Sequence, residues 1–329
     1  MANVISSTRA VRDLVNIRRR HREIGRDSSS LNTIASALDT LSDTAEAIGA
    51  YGKEPVSDRD RTYLASYGVL QALYMQQDAT FWLCRLLGID PISGFESPGK
   101  WSSSVPAIEA ARMARNNSVG HPVRREKGGP LASFFLVQST LRLGNFQLLQ
   151  SEGKKRQFVS VNVSKLAEEQ LAAVDALLRD AAHQLREKDK GHKRQFMNSK
   201  LRAIFNRLDH AVSHLGAVSE SDTRLMVPGF ANMIRDGMDG FRRALREREE
   251  PFEADLQFAY QKLSRALRVL DDHVRGVAYA DGDLAEVAAS CVYHEIEELK
   301  AYAQGIDDDY AQTSPPSEER RAEPESDKE

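Results

Sequence analysis

Residues 63–87 read YLASYGVLQALYMQQDATFWLCRLL, and their apolar side chains recur at intervals of three and four residues. This spacing places them on one face of an α-helix, because about 3.6 residues complete each turn. The stretch follows Ser57-Asp58-Arg59-Asp60, a typical helix start, and stops near Gly88. Such a helix must bury its stripe against other helices, so the stretch predicts a mainly α-helical fold. The predicted face consists of Tyr63, Tyr67, Leu70, Leu73, Tyr74, Gln77, Phe81, Cys84 and Leu87.

Helices also flank this stretch on both sides. Residues 31–48 carry a second apolar face of helical period, which ends at Gly49 and Gly52. Two long helices joined by a short link form an antiparallel hairpin. After a loop at 89–103, rich in proline, serine and glycine, a third helix begins with Pro106 in its first turn.

The pattern changes from helix to strand at about residue 131. Three short β-favouring runs, separated by turns with glycine or serine, predict a three-stranded antiparallel meander at about 131–163. Helical patterns resume at about Lys165, with an interruption expected at Asp189-Lys190-Gly191. They continue through 194–216, 224–247, 251–275 and 283–304.

These patterns predict a helical bundle with a small antiparallel β insertion, followed by a second helical region. We expect four segments: a basic N-terminal segment 1–27, a helical domain 28–164, a C-terminal helical region 165–305 and a disordered acidic tail 306–329. The first helix after residue 164 is a candidate to complete the N-terminal bundle.

Charge is concentrated at the two ends of the chain, although the formal net charge is only −3. Residues 1–27 hold seven arginines, and residues 307–329 hold nine acidic side chains. A basic head of this kind is suited to contact RNA or the acidic tail; the alternative is that both ends are simply solvated. The arginines proposed for RNA binding are Arg18, Arg19, Arg20 and Arg22.

Composition argues against several classes of protein. The sequence has no run of about 18 apolar residues that would cross a membrane and no secretory leader, so we expect a soluble, cytoplasmic protein without membrane partners. Two cysteines, Cys84 and Cys291, cannot form a multi-cysteine metal site and are expected to be small buried side chains. We expect no cofactor and no metal.

The strongest chemical motif ends the third helix, where residues 115–122 read RNNSVGHP. Arg115 lies in the last helical turn, and the bend at Gly120 allows His121 to fold back towards it. An arginine matches phosphate oxygens, and a histidine, with an ordinary pKa of about 6.5, exchanges protons near neutrality. Together they suit RNA cleavage by the 2′-hydroxyl, with His121 as general base and Arg115 stabilising the phosphorane. Asn116 and Asn117 are candidates to orient these groups.

This motif resembles that of the HEPN family, in which an arginine precedes a histidine by a few residues at the end of a helix that follows a helical hairpin. The resemblance covers about residues 28–190. It implies metal-independent endoribonuclease activity, a homodimer that joins two motifs in one cleft, and a role in toxin–antitoxin, phage-defence or RNA-processing systems. A partner antitoxin or regulatory protein is also implied. The predicted β insertion departs from a minimal HEPN bundle.

Three further residues are candidates to support the motif. Glu109 and Arg112 precede Arg115 on nearly the same helical face, where a glutamate is suited to hold an arginine in place. Asp78 is an unusual carboxylate within the apolar helix, and Arg115 or His121 would satisfy it. The alternatives are a solvated helix face for Glu109 and Arg112, and a water-facing Asp78.

Other readings of the sequence remain open. On spacing alone, the motif is also compatible with a helix-capping asparagine followed by a surface histidine. His210 and His214 have a spacing that can hold a metal, although no third ligand is evident. The alternative function is a non-catalytic helical scaffold that binds a protein or RNA.

Overall fold

The structure is a computed structural model. It describes residues 2–17, 19–20, 24, 28–51, 53, 58–90, 92–120, 123–125, 131–215, 225–278 and 280–311. His121, Arg18, Arg22 and the acidic tail beyond residue 311 therefore lie outside the described residues. The chain divides into two compact units, Met1–Arg186 and Glu187–Glu329. The predicted fold class, mainly α with a small antiparallel β insertion, is confirmed.

The first unit is built on the predicted helical hairpin. Helix α2 (Ser28–Ala50) packs along α3 (Arg59–Leu86), the long helix of the opening stretch. Asp58 caps α3, since its carboxylate accepts a hydrogen bond from the Asp60 amide at 3.0 Å. The buried side chains of α3 include Leu70, Leu73 and Phe81, as its apolar period requires.

The N-terminal segment contains a helix that the sequence analysis did not predict. Helix α1 (Ala2–Val15) packs on α2 through Val4, Val11 and Val15, which are at most 3% exposed. These three valines recur at helical spacing, but the surrounding arginines and serines obscure the pattern. The first part of the basic segment therefore belongs to the folded core of the first unit.

Two short helices follow the hairpin and carry the chain towards the candidate motif. Helix α4 (Pro98–Ser102) buries Trp101 completely, with its ring 6.1 Å from that of Phe81. Helix α5 (Pro106–Arg115) packs on α3. Arg115 is its last residue, as predicted, but the chain does not unwind there. It continues as one π-helical turn, Asn116–Gly120.

The β insertion forms a four-stranded antiparallel sheet in the order β1-β2-β3-β4. The predicted meander corresponds to β2 (Leu131–Leu136), β3 (Asn145–Glu152) and β4 (Lys155–Asn162), and the three-residue β1 (Val123–Arg125) adds an edge strand. One face of the sheet is buried on α3 and α5. Its buried apolar side chains are Ala132, Phe134, Phe146, Leu148 and Val161.

The second unit is a helical bundle with its own core. Helix α6 (Val163–Phe196) lies mostly in the first unit, where Val174, Leu178 and Leu185 complete the core, and its last ten residues belong to the second unit. The helices described within the second unit are α7 (Arg202–Asn206), α8 (Asp209–Leu215), α9 (Val227–Glu247), α10 (Ala254–Val274) and α11 (Gly282–Ala311).

Two predicted helix boundaries in this region are wrong. Helix α6 continues through Asp189-Lys190-Gly191, where ion pairs from Lys190 to Glu187 and from Lys193 to Asp189 follow helical spacing. Helix α11 continues past Gly305, the predicted end of the fold. The Asp307 carboxylate there accepts hydrogen bonds from the backbone amides of Leu201 and Arg202 at 2.9 and 3.0 Å, so it binds the start of α7.

Among the described helices, none has both the length and the apolar character needed to cross a lipid bilayer.

The two cysteines should differ sharply in reactivity. Both thiols are free, and burial, followed by the nearby Asp180 carboxylate, raises the pKa of Cys84 to about 12. At pH 9 only about one Cys84 in a thousand is then a thiolate, which is the reactive form. Cys291 is half-buried, and desolvation raises its pKa as well. We therefore expect iodoacetamide to label Cys291 well before Cys84 in the native protein, as measured by peptide mass spectrometry.

Unfolding in urea is the control for this experiment, because both thiols should then react at similar rates. Equal labelling of Cys84 and Cys291 without urea would contradict the buried position of Cys84 in α3.

Candidate functional site

The centre of the candidate site is the ring of Tyr74, which contacts two guanidinium groups. The Cζ atoms of Arg112 and Arg115 lie 4.6 and 4.3 Å from the ring centroid. The two arginines are three residues apart on α5 and so project from the same side of that helix. Tyr74 reaches them from α3. Cation–π contacts of this kind contribute about 0.5–2 kcal/mol each.

Arg112 is neutralised by a carboxylate. Its Nη2 atom donates to Asp78 Oδ1 at 2.6 Å, and its Nε atom donates to Gln77 Oε1 at 3.0 Å. Arg112 is 14% exposed and Asp78 is 34% exposed. Asp78 therefore does have a cationic partner, but this partner is Arg112 rather than the predicted Arg115. The other predicted partner, His121, lies outside the described residues.

Arg115, in contrast, is held by neutral oxygens. Its Nε and Nη2 atoms donate to Gln71 Oε1 at 3.3 and 3.1 Å, and its Nη1 atom donates to Asn116 Oδ1 at 3.1 Å. No carboxylate of the described residues forms an ion pair with Arg115. Three of its five N–H donors are engaged, so the half-buried guanidinium keeps a positive charge and two further donors.

Gly120 lies directly against this guanidinium. A Cβ atom at position 120 would overlap Arg115 Nη1 and would approach Arg115 Cζ to 3.0 Å and Asn116 Oδ1 to 3.4 Å. The sequence predicts only a bend of the chain at Gly120. The structure shows in addition that the absence of a side chain leaves the space in which Arg115 meets Asn116.

The π-helical turn explains how Gly120 reaches Arg115. A π turn is wider than an α turn and is often found at functional sites. Here Ser118 Oγ donates to the Ala114 carbonyl at 2.6 Å within the turn. Asn117, a predicted supporting residue, is 9% exposed, and its Oδ1 atom has no hydrogen-bond partner within the described part of the chain.

Buried glutamines fix α5 against α3. Gln77 is fully buried, and its Nε2 atom donates to the Ile108 carbonyl at 3.1 Å and to Gln170 Oε1 at 2.6 Å. Gln170, from the first part of α6, donates in turn to the Leu73 carbonyl at 2.8 Å and to Gln76 Oε1 at 3.1 Å. Three helices are thus joined by one amide network at the base of the two arginines.

The remaining predicted site residues lie elsewhere or take other roles. Glu109 is half-buried on α5 and forms no ion pair with a described residue, so it does not hold Arg115 in place. Arg19 and Arg20 are 7% and 3% exposed. Arg20 donates to the carbonyls of Leu14 and Leu185 at 2.8 Å. These placements favour a structural role for Arg19 and Arg20 over the predicted RNA contact.

Sequence reasoning missed Gln71, Tyr74 and Gln170 as parts of the site. A signal for the first two existed, because Gln71, Tyr74 and Asp78 recur at helical spacing along α3. Tyr74 was assigned to the apolar face instead. Gln170 had no local signal, since it comes from a helix almost a hundred residues further along the chain.

The rival metal motif forms an aromatic cluster in the second unit. The rings of His210 and His214 have centroids 4.3 Å apart, and the His214 ring stacks on Phe230 at 5.4 Å. Within the described ranges, no group of three or more histidine, cysteine, aspartate or glutamate residues is arranged to hold a metal ion.

Comparison with protein-family models, curated proteins and solved structures found no match to this chain.

The amide network should make Gln77 and Gln170 energetically coupled. Replacing either with leucine leaves buried partners unsatisfied, so each single variant should lose about 1–3 kcal/mol of unfolding free energy. The double variant should lose less than the sum, with a coupling of about 0.5–3 kcal/mol. Trp82 and Trp101 are the two tryptophans of the chain, and both belong to the first unit. Their fluorescence during denaturation therefore measures this unit.

Gln157→Leu, an exposed substitution in the first unit, is the matched control and should change the stability of that unit by less than about 0.5 kcal/mol. Strict additivity of the Gln77 and Gln170 variants would show that the network does not act as one unit.

Proposed function

We propose that this protein is a HEPN-like, metal-independent endoribonuclease whose site contains Arg115, Asn116 and His121. The observation that carries the proposal is the state of Arg115: a half-buried guanidinium without a carboxylate partner in the described part of the chain, beside a glycine. His121 follows that glycine directly in the sequence. A guanidinium and an imidazole a few residues apart at one helix end are suited to cleave a phosphodiester bond, because the first binds the phosphate and the second exchanges a proton.

The electrostatics of the two arginines support Arg115 over Arg112 as the phosphate-binding group. The charge of Arg112 is balanced by Asp78, whereas Gln71 and Asn116 hold Arg115 without cancelling its charge. Neutral partners preorganise the guanidinium for a charge that develops later. Its two remaining N–H donors match the two non-bridging oxygens of a phosphodiester.

The proposed reaction is transesterification at phosphorus. His121 removes the proton of the 2′-hydroxyl, and the 2′-oxygen forms a bond to phosphorus. The bond from phosphorus to the 5′-oxygen breaks, and this oxygen leaves with a proton from water. Arg115 stabilises the negative charge on the phosphorane oxygens, and Asn116 keeps Arg115 in place. The products are a 2′,3′-cyclic phosphate and a 5′-hydroxyl.

The proposal includes the biological setting that the resemblance implies. The enzyme would act on RNA in the cytoplasm as a homodimer, with two motifs in one cleft and with an antitoxin or regulatory protein to control it. Such a controlled nuclease fits the toxin–antitoxin, phage-defence or RNA-processing role that the resemblance implies.

Loss of either proposed catalytic group should abolish cleavage. Arg115→Ala and His121→Ala should each lower the cleavage rate by at least about a hundredfold, as expected when electrostatic or general-base catalysis is lost. The measurement is cleavage of a labelled RNA in the presence of EDTA, with the cyclic phosphate ends identified by mass spectrometry.

Arg265→Ala and His294→Ala remove exposed residues of the same types from the second unit and should leave the rate unchanged. Cleavage that survives the double variant Arg115→Ala/His121→Ala in a folded protein would refute the assignment. RNA binding without any cleavage by the wild-type protein would favour a non-catalytic role.

Gly120→Ala tests the geometry without removing a polar group. The new methyl group must displace the Arg115 guanidinium from Asn116, because a Cβ atom there would overlap Nη1. We expect a rate at least about tenfold lower, since small misplacements of a catalytic group are costly. The stability should change little, because a flexible side chain can move aside.

Gly68→Ala on α3 is the matched control, since a Cβ atom at position 68 meets no atom within 4 Å. A Gly120→Ala enzyme of normal rate would show that the contact between Gly120 and Arg115 does not matter for the chemistry.

A further inference from the structure

The sheet has a second face that is not used in the core. Strand registers pair Phe135 with Leu149 and Leu149 with Phe158, so these three side chains form one row across β2, β3 and β4. This row lies opposite the buried Phe134 and Leu148, because successive residues of a strand point to opposite faces. Phe135 is 57% exposed and Phe158 is 65% exposed. We call this the aromatic row.

Polar side chains lie beside the aromatic row on the same face. Ser133, Ser151 and Arg156 form the adjacent row, and Gln147 and Ser160 flank the other side. None of the residues of β2, β3 and β4 that share this face is acidic. The face therefore combines aromatic rings and the aliphatic side chains of Leu131 and Leu149 with hydroxyl, amide and guanidinium groups.

Basic residues cluster at one end of this face. The turn between β3 and β4 carries Lys154, which is followed by Lys155 and Arg156, and all three are exposed. None of the three forms an ion pair within the described ranges. Their positive charge is available to a phosphate backbone, and Arg156 lies two residues from the ring of Phe158.

We propose that the aromatic row and its basic end bind single-stranded RNA. Phe135 and Phe158 would stack on bases, the serine and glutamine side chains would contact base edges, and Lys154 and Arg156 would contact phosphates. This inference deepens the proposed function and rests on it for the choice of RNA as ligand. According to this inference, the β insertion binds the RNA substrate. A minimal helical bundle lacks such an insertion.

The chemistry of the face favours a nucleic acid over a second copy of the chain. Strands lie about 4.8 Å apart, so the two phenylalanines are separated by about 10 Å, room for successive unstacked bases of an extended strand. Solvent-facing aromatics on antiparallel sheets stack bases in this way, and cationic rims hold the backbone. Protein interfaces also use aromatic and arginine side chains, but they are depleted of lysine, and two exposed lysines, Lys154 and Lys155, lie at the end of this face.

The test measures binding without cleavage. The probe is a fluorescein-labelled single-stranded 12-mer of 2′-O-methyl RNA, which cannot react through its 2′-oxygen, and fluorescence anisotropy gives its Kd. Phe135→Ser/Phe158→Ser should weaken binding by at least about tenfold, because stacking on each ring contributes strongly to affinity. Lys154→Ser/Arg156→Ser should weaken binding as well and lower its dependence on salt.

Two matched variants serve as controls. Phe258→Ser removes a phenylalanine of the second unit that is also 57% exposed. Arg265→Ser/Arg268→Ser removes two exposed arginines from a groove of about 800 Å³ between α9 and α10. Both should bind the probe with the affinity of the wild-type protein.

Several outcomes would overturn the proposal. The first is a Phe135→Ser/Phe158→Ser variant that binds the probe with unchanged Kd. The second is loss of probe binding in the Arg265→Ser/Arg268→Ser variant. Equal affinity for a duplex of the same length would exclude base stacking. If the phenylalanine variant turns a dimer into a monomer in sedimentation while its affinity stays the same, the face is an interface between copies.

These measurements also separate this inference from the proposed function. Probe binding that depends on the aromatic row, in a protein that cleaves no RNA, would support the binding surface and refute the nuclease. Cleavage that depends on Arg115 and His121, with no effect of the aromatic row on probe binding, would support the nuclease and refute the binding surface.

Discussion

Burial of the glutamine amides between α3, α5 and α6 is the constraint on which the candidate site depends. A buried amide is costly unless its donors and its acceptor are satisfied, and Gln77 and Gln170 meet this condition by bonding each other and backbone carbonyls. Such a network allows few alternative arrangements of the three helices. It therefore sets the position of α5, and with it the positions of Arg112 and Arg115 over the Tyr74 ring.

In this arrangement of helices, the two arginines of α5 differ in the charge of their hydrogen-bond partners. Arg112 meets Asp78 and forms part of the scaffold. Arg115, one turn later, contacts the Tyr74 ring, two amide oxygens and Gly120, but no carboxylate of the described residues. In a partly desolvated setting, an uncompensated charge interacts strongly with an incoming anion. The arrangement of neutral and acidic partners along α3 thus decides which arginine is suited to a phosphate.

Only one face of the sheet packs against these helices. Its buried side covers α3 and α5 beside the π-helical turn, while its other side keeps two exposed phenylalanines and a basic turn. The row formed by Phe135, Leu149 and Phe158 stabilises the sheet through cross-strand pairs and also leaves two aromatic rings exposed. The β insertion therefore contributes a surface of its own beside the helices that hold the candidate motif.

Local pattern was sufficient to predict the fold class, the α2–α3 hairpin, the meander and the position of Arg115 at a helix end, because each follows from side-chain period or from glycine and proline within a few residues. It was insufficient for α1, whose valines are hidden among polar residues, and for the end of α11, where Asp307 binds the start of α7. Charge at the N-terminus suggested RNA contact for Arg20, whereas packing buries it against backbone carbonyls.

Only the tertiary structure decided the partners of Arg115. It also decided the pairing of Asp78 with Arg112 and the contact between Arg115 and Gly120. The physical reason is that hydrogen bonding and charge neutralisation depend on which groups meet in space. Gln71 meets Arg115, and Gln77 meets Gln170, only after the helices have packed.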